Sequence, residues 1–561
     1  MGRMLPIGIQ DFEKLRHDGY VYVDKTSYVH RIASISTPFF LIRPRRFGKS
    51  LLVSTLKYYL AGRRDLFEGL AIEKLVGEVP GAWEGSPVFH LDFDGANYAE
   101  DRLEDVLGTQ LARWERDLGL ERVAVGLGDR FYDVLCAAHA QTNKRCAVLV
   151  DEYDKPLLDA MGNPAVLERN RAILKGFFSV IKKADAHLRT VFITGVTKFS
   201  KVSIFSDLNN LRDISLSAEF AGMCGITEEE LVSTFGPELE AFARAKRMDG
   251  ETCLSALREK YDGYCFHPDG PFVSRVLAGD ESPVDLERDG DVRLNTRVYN
   301  PYSLLNALTE LRLGSWWFGT GTPTFLVRRL REEAFDPRKL VDETIYATEA
   351  RLSDYRIDDP DIVPLLYQAG YLTIKAHDEH ADEYVLAVPN AEVEFGMLGQ
   401  LIPTYAPGYG SLRGTDVLTL RRHVEAGDTD GIRRVLTALF ASIPYTQGND
   451  PFEHYFQAVI WLVFTLLGQY VRCELHTASG RIDCVVETRS CVYIFEFKRD
   501  GTTVEALDQI EERGYAAAFE ADARRLYLVG CVFDSQTRQL VGWEVHARDE
   551  VLGDLPVSGL T

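Results

Sequence analysis

At 561 residues the chain exceeds what one hydrophobic core organises, and it predicts three or four domains. Its hydrophobic share of 46% and charged share of 26% are those of an ordinary globular protein, and its net charge of -21 excludes a bulk positive field for nucleic acid. Any nucleic-acid partner must therefore be held by a local basic groove or a bridging metal ion.

The nine cysteines are scattered with no C-x-x-C pair, which argues against a zinc site or a disulfide framework and suits a reducing compartment. No signal-type apolar run follows Met1–Pro6. The longest apolar stretch, Ala458 to Leu467, is too short to span a bilayer. The expectation is a cytoplasmic protein with no membrane association.

Over the first part of the chain, apolar strands alternate with amphipathic helices, the pattern of a parallel α/β sheet. Strands are predicted at Phe39–Ile42, Val88–Phe93, Ala147–Val150 and Thr190–Thr194. The first runs into Arg43-Pro44-Arg45-Arg46-Phe47-Gly48-Lys49-Ser50, and a helical stretch opens at Leu51. Strand, loop and helix in that order are the setting of a Walker A loop, whose backbone N–H groups cradle phosphates at a helix N-terminus. Residues Arg45 to Leu51 are the predicted nucleotide contacts. Lys49 is expected to reach the β- and γ-phosphates of ATP, and Ser50 to ligate Mg²⁺. Arg43 stands where the general pattern has its first glycine, and Arg45 and Arg46 add positive charge. Gly-Lys-Ser alone also arises by chance as a helix cap; the flanking strand and helix favour the phosphate reading.

The run Cys146–Val150 ends in Asp151 and Glu152, a Walker B pattern. Asp151 is expected to hold Mg²⁺ through water, and Glu152 to orient or deprotonate the attacking water. After the next strand, Thr194 or Thr197 is a candidate polar sensor beside the γ-phosphate; turn residues at a strand end are the equal alternative.

These residues carry a family resemblance. Tyr22-Val23-Asp24-Lys25-Thr26, the Arg43–Ser50 loop, Asp151-Glu152-Tyr153-Asp154 and Gly195-Val196-Thr197-Lys198-Phe199-Ser200 together resemble the bacterial AAA-ATPase-like family. Tyr261-Asp262-Gly263-Tyr264 and Tyr299-Asn300-Pro301-Tyr302-Ser303 match its middle region. Arg43 at the glycine position is normal there. The resemblance implies an ATPase with a PD-(D/E)XK nuclease domain at the C-terminus, and is compatible with a homo-oligomer.

From Thr227 to about Leu330 the pattern is helical, broken by Pro/Gly-rich loops such as His267–Pro271. A helix at Asp361–Ala369 then precedes strand-like runs at Tyr371–Lys375 and Tyr384–Val388, the layout of a winged helix. A small packing domain is the favoured reading of that layout over a DNA reader. Helical segments continue to the break at Asn449-Asp450-Pro451, and the remainder reads helix, strand, hairpin, helix, strand.

Within that remainder, a strand opening at Gly480 and another at Cys491–Lys498 are joined by a turn at Thr488-Arg489-Ser490. A two-residue turn pairs 488 with 491 and places Asp483 opposite Glu496, with Cβ atoms ~5 Å apart. Lys498 shares that face by the period of two, while Tyr493, Phe495 and Phe497 point to the other face as core. Two carboxylates and a lysine on one face suit a bound Mg²⁺ or Mn²⁺, with Lys498 orienting the reacting water. An inward-facing salt-bridge trio is the alternative. Glu453 resembles the first-helix acid of such nucleases, although Asp450-Pro451-Phe452-Glu453 reads equally as a capping box. Gln509 is either a polar residue beside the site or a solvated side chain, and Tyr515 is expected in the core.

The predicted architecture is α/β and multidomain: a P-loop AAA-like ATPase domain (1–225), a helical lid (226–335), a winged-helix-like segment with a helical linker (336–448) and a PD-(D/E)XK nuclease domain (449–561). The predicted function is ATP binding and hydrolysis together with nucleotide-regulated, metal-dependent cleavage of nucleic-acid phosphodiesters, DNA favoured by analogy of fold class. The alternative is a nucleotide-dependent switch or assembly protein whose C-terminal domain binds nucleic acid without cutting.

Overall fold

The computed structural model describes residues 3–77, 81–100, 102–198, 204–267, 296–317, 345–353, 361–378, 380–397, 414–441, 470–477, 480–488, 490–519, 522, 524–537 and 539–548. They fall into two compact units. One holds the described residues up to Trp317 together with Ile345–Glu394, and the other the described residues from Phe395 onward.

The first unit is built on a parallel sheet. Its strands are β1 (Phe39–Ile42), β2 (Val88–Asp92), β3 (Cys146–Asp151), β4 (Leu188–Gly195) and β5 (Arg212–Asp213), in spatial order β2-β3-β4-β1-β5. β1 and β3 are buried along their whole length. That is why they read as unbroken apolar runs: a parallel sheet covered on both faces has no polar side to alternate with. The helix Lys49–Leu60 follows β1 and buries Leu52, Val53, Leu56 and Leu60. β1, β2, β3 and β4 end at Ile42, Asp92, Asp151 and Gly195, and ligands of such sheets bind at those carboxyl ends.

The predicted helical region is present as Glu228–Thr234, Gly236–Lys246, Gly250–Tyr261 and Pro301–Glu310. Leu231, Phe242, Leu257, Tyr261 and Leu304 form its core. Its start is fixed by a capping box between Thr227 and Glu230. Its last helix begins at a cap in which the Asn300 side chain accepts from the Ser303 N–H, with Pro301 at the first position. The short strands β6 (Tyr264–Cys265) and β7 (Arg297–Val298) pair antiparallel beside it.

The helix-plus-hairpin layout of the next segment is also present, as Val363–Ala369, β9 (Thr373–Asp378) and β10 (Glu383–Ala387). A third strand, β8 (Ile345–Thr348), gives the order β8-β10-β9. This segment is not set apart from the first unit. Gln368 Oε1 accepts from the Lys198 N–H at 2.8 Å, and the Cys265 N–H donates to Thr373 Oγ1 at 2.8 Å.

The second unit carries β11 (Tyr470–Thr477), β12 (Gly480–Glu487), β13 (Cys491–Arg499), β14 (Arg525–Phe533) and β15 (Leu540–Arg548), in that spatial order. Only β13 and β14 are parallel, and the helix Thr503–Glu512 makes the crossover such a pair requires. β15 is an edge strand that the sequence reading did not anticipate. Helices Gly414–Ala426 and Thr429–Ala441 belong to this unit rather than to a linker. The Tyr493 hydroxyl donates to the Val424 carbonyl at 2.6 Å, and the Phe440 and Phe533 rings meet at 5.1 Å. Glu453, with the helix predicted around it, lies outside the described residues.

Candidate functional site

The loop after β1 turns on Gly48, whose φ of +87° lies in the left-handed region that glycine enters freely. Arg43 does not line the loop's open side. It is 1% exposed, and its guanidinium donates to the carbonyls of Ile42, Ser215 and Phe220 at 2.9, 2.8 and 3.2 Å while resting over the Phe266 ring. The arginine at the glycine position is thus a floor beneath the loop. Arg45 and Arg46 are exposed, and Phe47 is buried against Tyr264 and Phe266.

Lys49 is buried, and its ammonium donates to the carbonyls of Arg43 and Pro44 at 3.1 and 3.2 Å. Asp151 and Glu152, at the end of β3, face the same region. Burial raises the Asp151 carboxyl above the usual range, the Ser50 hydroxyl and Lys49 pull it back, and Asp92 adds to the rise. Burial pushes Glu152 up to about 7, with Lys49 opposing and Asp154, Asp151 and Asp94 adding to it. Its φ of +52° is a left-handed conformation for a non-glycine residue, a strain that concentrates at functional sites. Lys49, Ser50, Glu152, Asp94 and Lys155 share the wall of a cavity of about 420 Å³.

The two candidate sensors differ. The Thr197 hydroxyl donates to Asp154 Oδ2 at 2.8 Å, whereas the buried Thr194 hydroxyl has no hydrogen-bond partner among the described residues. The sequence reading assigned no role to Asp154, Lys155, Tyr302 or Trp317. Asp154 had a signal, being the third acid of the Asp151–Asp154 run. Trp317 had none: its indole N–H reaches the Arg45 carbonyl at 3.2 Å across 272 residues of sequence.

In the second unit, β12 and β13 pair from Glu487↔Val492 to Cys484↔Phe495, and the Thr488 N–H donates to the Cys491 carbonyl at 2.8 Å. One further step of that register brings Asp483 to Glu496. The ladder stops short of it, because the Phe497 N–H donates at 2.9 Å to Asp483 Oδ2. Glu496 is 2% exposed; its Oε1 accepts from Lys498 Nζ at 3.2 Å, and its Oε2 has no hydrogen-bond partner among the described residues. Burial, then the Asp483 charge, pushes Glu496 up to about 7, with Lys498 opposing. Lys498 also donates to Gln509 Oε1. Tyr493, Phe495 and Phe497 stack in a buried row at 6.1 and 6.2 Å on the other face. Tyr515 is in the core.

Both sites fit the groups their chemistry implies. A buried carboxylate oxygen without a donor, next to a second carboxylate, suits a hard divalent cation with oxygen ligands. Asp483 and Glu496 are the side chains that would hold it, and among the described residues no group of three or more His, Cys, Asp or Glu converges as a closed metal cage. A loop opening a helix, with a buried lysine and two acids opposite, suits a nucleoside triphosphate with its Mg²⁺.

Comparison with known proteins agrees with this division. Residues 6–205 match the AAA-ATPase-like family model, described as "Predicted AAA-ATPase", and residues 451–543 match a PD-(D/E)XK nuclease superfamily model. An uncharacterized protein in the vnfD 5'region of Azotobacter chroococcum mcd 1 is 37% identical over 561 residues, covering 97% of this chain and 99% of that one. The chain belongs to the AAA-ATPase-like family. Its C-terminal unit carries a PD-(D/E)XK nuclease superfamily domain. Among solved structures, the ORC2 protein of Aeropyrum pernix (ADPNP–ADP complexes) is similar at 10% identity over 72% of this chain and 96% of that one, with a TM-score of 0.23, a likeness that carries no structural argument. The phosphate loop, Asp151 and Glu152 lie inside the AAA-ATPase-like match, and Asp483, Glu496, Lys498 and Gln509 inside the nuclease match. Tyr302 and Trp317 lie outside both. No helix among the described residues is long and apolar enough to cross a membrane.

Proposed function

We propose that this AAA-ATPase-like protein binds and hydrolyses ATP at the Arg45–Leu51 loop, and that its C-terminal domain cuts nucleic-acid phosphodiesters, DNA by preference, in the cytoplasm. The observation that carries the nuclease reading is Glu496: a buried carboxylate beside Asp483 with one oxygen on Lys498 and the other without a hydrogen-bond partner among the described residues. Such an arrangement is costly unless a cation sits between the acids.

At the first site, Lys49 is assigned to the outer phosphates. On this reading Ser50 and Asp151 hold Mg²⁺, and Glu152, raised to about 7, takes the proton of the attacking water. The buried Thr194 hydroxyl is available for the γ-phosphate side. At the second site, a divalent ion supplies Lewis acidity and a more acidic water. Asp483 and Glu496 hold it, and Lys498, braced by Gln509, directs charge toward the reacting water. The acidic balance of the whole chain leaves the substrate to be held locally rather than by a long-range field.

The test is one assay matrix: purified protein with plasmid, linear duplex, single-stranded DNA and RNA, in Mg²⁺, Mn²⁺ or chelator, with and without ATP. Metal-dependent cleavage of DNA above RNA supports the reading. Binding without cutting under every condition overturns the nuclease half and leaves the nucleotide-dependent switch.

A further inference from the structure

The loop carries three arginines in four positions, and they have different fates. Arg43 is spent on three carbonyls beneath the loop. Arg45 is held through its backbone, whose carbonyl accepts from Trp317. Arg46 is exposed on the cavity wall, with its guanidinium over the Tyr302 ring at 4.6 Å. Among the described residues no carboxylate or carbonyl accepts a hydrogen bond from that guanidinium. Its backbone φ is +70°, a conformation that glycine adopts freely and that penalises any residue with a side chain.

We propose that Tyr302 is a positioning residue for the nucleotide: its ring holds the Arg46 guanidinium by its face, so that the in-plane N–H groups meet the phosphates of a bound triphosphate. This rests on the phosphate-site reading above and adds a residue from outside the ATPase segment to it.

The physical basis is the shape of the guanidinium. A cation–π contact occupies the face of the group and leaves the N–H donors around its edge free. An arginine stacked in this way enters the site with its rotamers already restricted, so less freedom is lost when an anion arrives. Tyr302 is itself fixed. It lies in the first turn of Pro301–Glu310, whose start is set by the Asn300 cap and by the Ile226↔Tyr299 bridge. Tyr302 and Trp317 therefore both touch the loop by their side chains, Tyr302 at the Arg46 guanidinium and Trp317 by its indole N–H at the Arg45 carbonyl. Nucleotide affinity then depends on the helical region beyond residue 225.

The test is calorimetric titration of the full chain with a non-hydrolysable ATP analogue and with ADP, each with Mg²⁺. Arg46→Gly removes the side chain while suiting the backbone, so it leaves the melting temperature in place. It should weaken analogue binding about tenfold and ADP binding less. Tyr302→Leu should weaken analogue binding severalfold, and Tyr302→Phe, which keeps the ring face, should restore it. The Arg46→Gly/Tyr302→Leu double variant should lose no more than Arg46→Gly alone, a coupling that a merely structural tyrosine would not show. Additive losses, or a Phe variant as weak as the Leu variant, overturn the proposal while the phosphate site stands. Wild-type protein that binds neither nucleotide overturns both.

Discussion

Asp154 Oδ2 accepts from both the backbone N–H and the hydroxyl of Thr197, at 2.7 and 2.8 Å. The Val196 N–H donates to the same carboxylate, which is 1% exposed. The acid after the Walker B pair thus fastens the end of β4 against the end of β3. A Cβ on Gly195 would sit 2.4 Å from Asp154 Oδ1, so only glycine allows the approach. Asp154→Ala leaves three buried donors unmet and should cost roughly 2–4 kcal/mol of stability. Gly195→Ala should cost about 1–3 kcal/mol through overpacking. Thermal melts of both variants check this; melts unchanged from wild type would show the staple to be idle.

Nucleotide binding should depend on Lys49 and hydrolysis on Glu152. Lys49→Ala is expected to weaken ATP·Mg²⁺ binding by well over tenfold, since it removes a buried charge with its hydrogen bonds. Glu152→Gln should bind nearly as wild type and turn over about 10²-fold or more slowly. Titration calorimetry and a phosphate-release assay separate the two. Wild-type affinity in the Lys49 variant would sink the phosphate-site assignment.

Cleavage should fail in two distinguishable ways at the carboxylate site. Asp483→Asn is expected to lose metal binding and cutting together, with ATP hydrolysis largely kept. Lys498→Ala should retain the ion and lose turnover, since the lysine touches Glu496 and Gln509 and is not itself a metal ligand. Both should keep the fold, because the row Tyr493, Phe495, Phe497 packs on the opposite face. Equal cutting by wild type and the Asp483 variant would trace the activity to another source.

Stability should fall with rising pH when the metal is removed. The folded-state pKa of Glu496 lies near 7, above an unfolded value of about 4.3, so the folded protein binds the extra proton between them. Its contribution is full below the unfolded value and lost as pH rises through 7. In chelator, the melting transition that Mn²⁺ raises should therefore move down between about pH 5 and pH 8. Glu496→Gln should flatten the trend. A transition that instead climbs with pH in chelator contradicts this assignment.

The C-terminal unit should require the helices before residue 449. Gly414–Ala426 covers the Tyr493 side of the sheet, and Phe440 in Thr429–Ala441 meets Phe533. A fragment spanning 395–561 should unfold cooperatively. One starting at 444 should expose that aromatic row and be less stable or aggregate. Urea melts of the two compare them directly; equal midpoints would return the boundary to the Asn449–Pro451 break.

Much of the fold was legible because its signals are local. Parallel strands covered on both faces read as apolar runs, as at Phe39–Ile42 and Ala147–Val150, and a tight turn at 488–491 carries the β12–β13 register. The sequence could also place acids at strand ends. It could not show that Arg43 turns under the loop, that Trp317 returns to Arg45, or that the hairpin of β9 and β10 packs with the ATPase unit. Those contacts join residues far apart in the chain, and no periodicity records them. β15 escaped notice because Leu540–Arg548 is an edge strand with a mixed apolar and charged pattern. The ending of the ladder at Cys484↔Phe495 likewise depends on a side chain, Asp483, capturing a backbone donor.

The arginine floor also orders events in time. Two of the three carbonyls that Arg43 needs belong to residues 172 and 177 positions further along the chain. A nascent chain that has delivered β1 to β4 has therefore made the phosphate loop without the acceptors that fasten it. Until Phe220 has emerged, a cation destined for burial has no full set of partners and stays solvated. The loop should thus be one of the last parts of the sheet to set during synthesis. Closing so long a loop is slow, and it delays nucleotide capture until the unit is nearly whole.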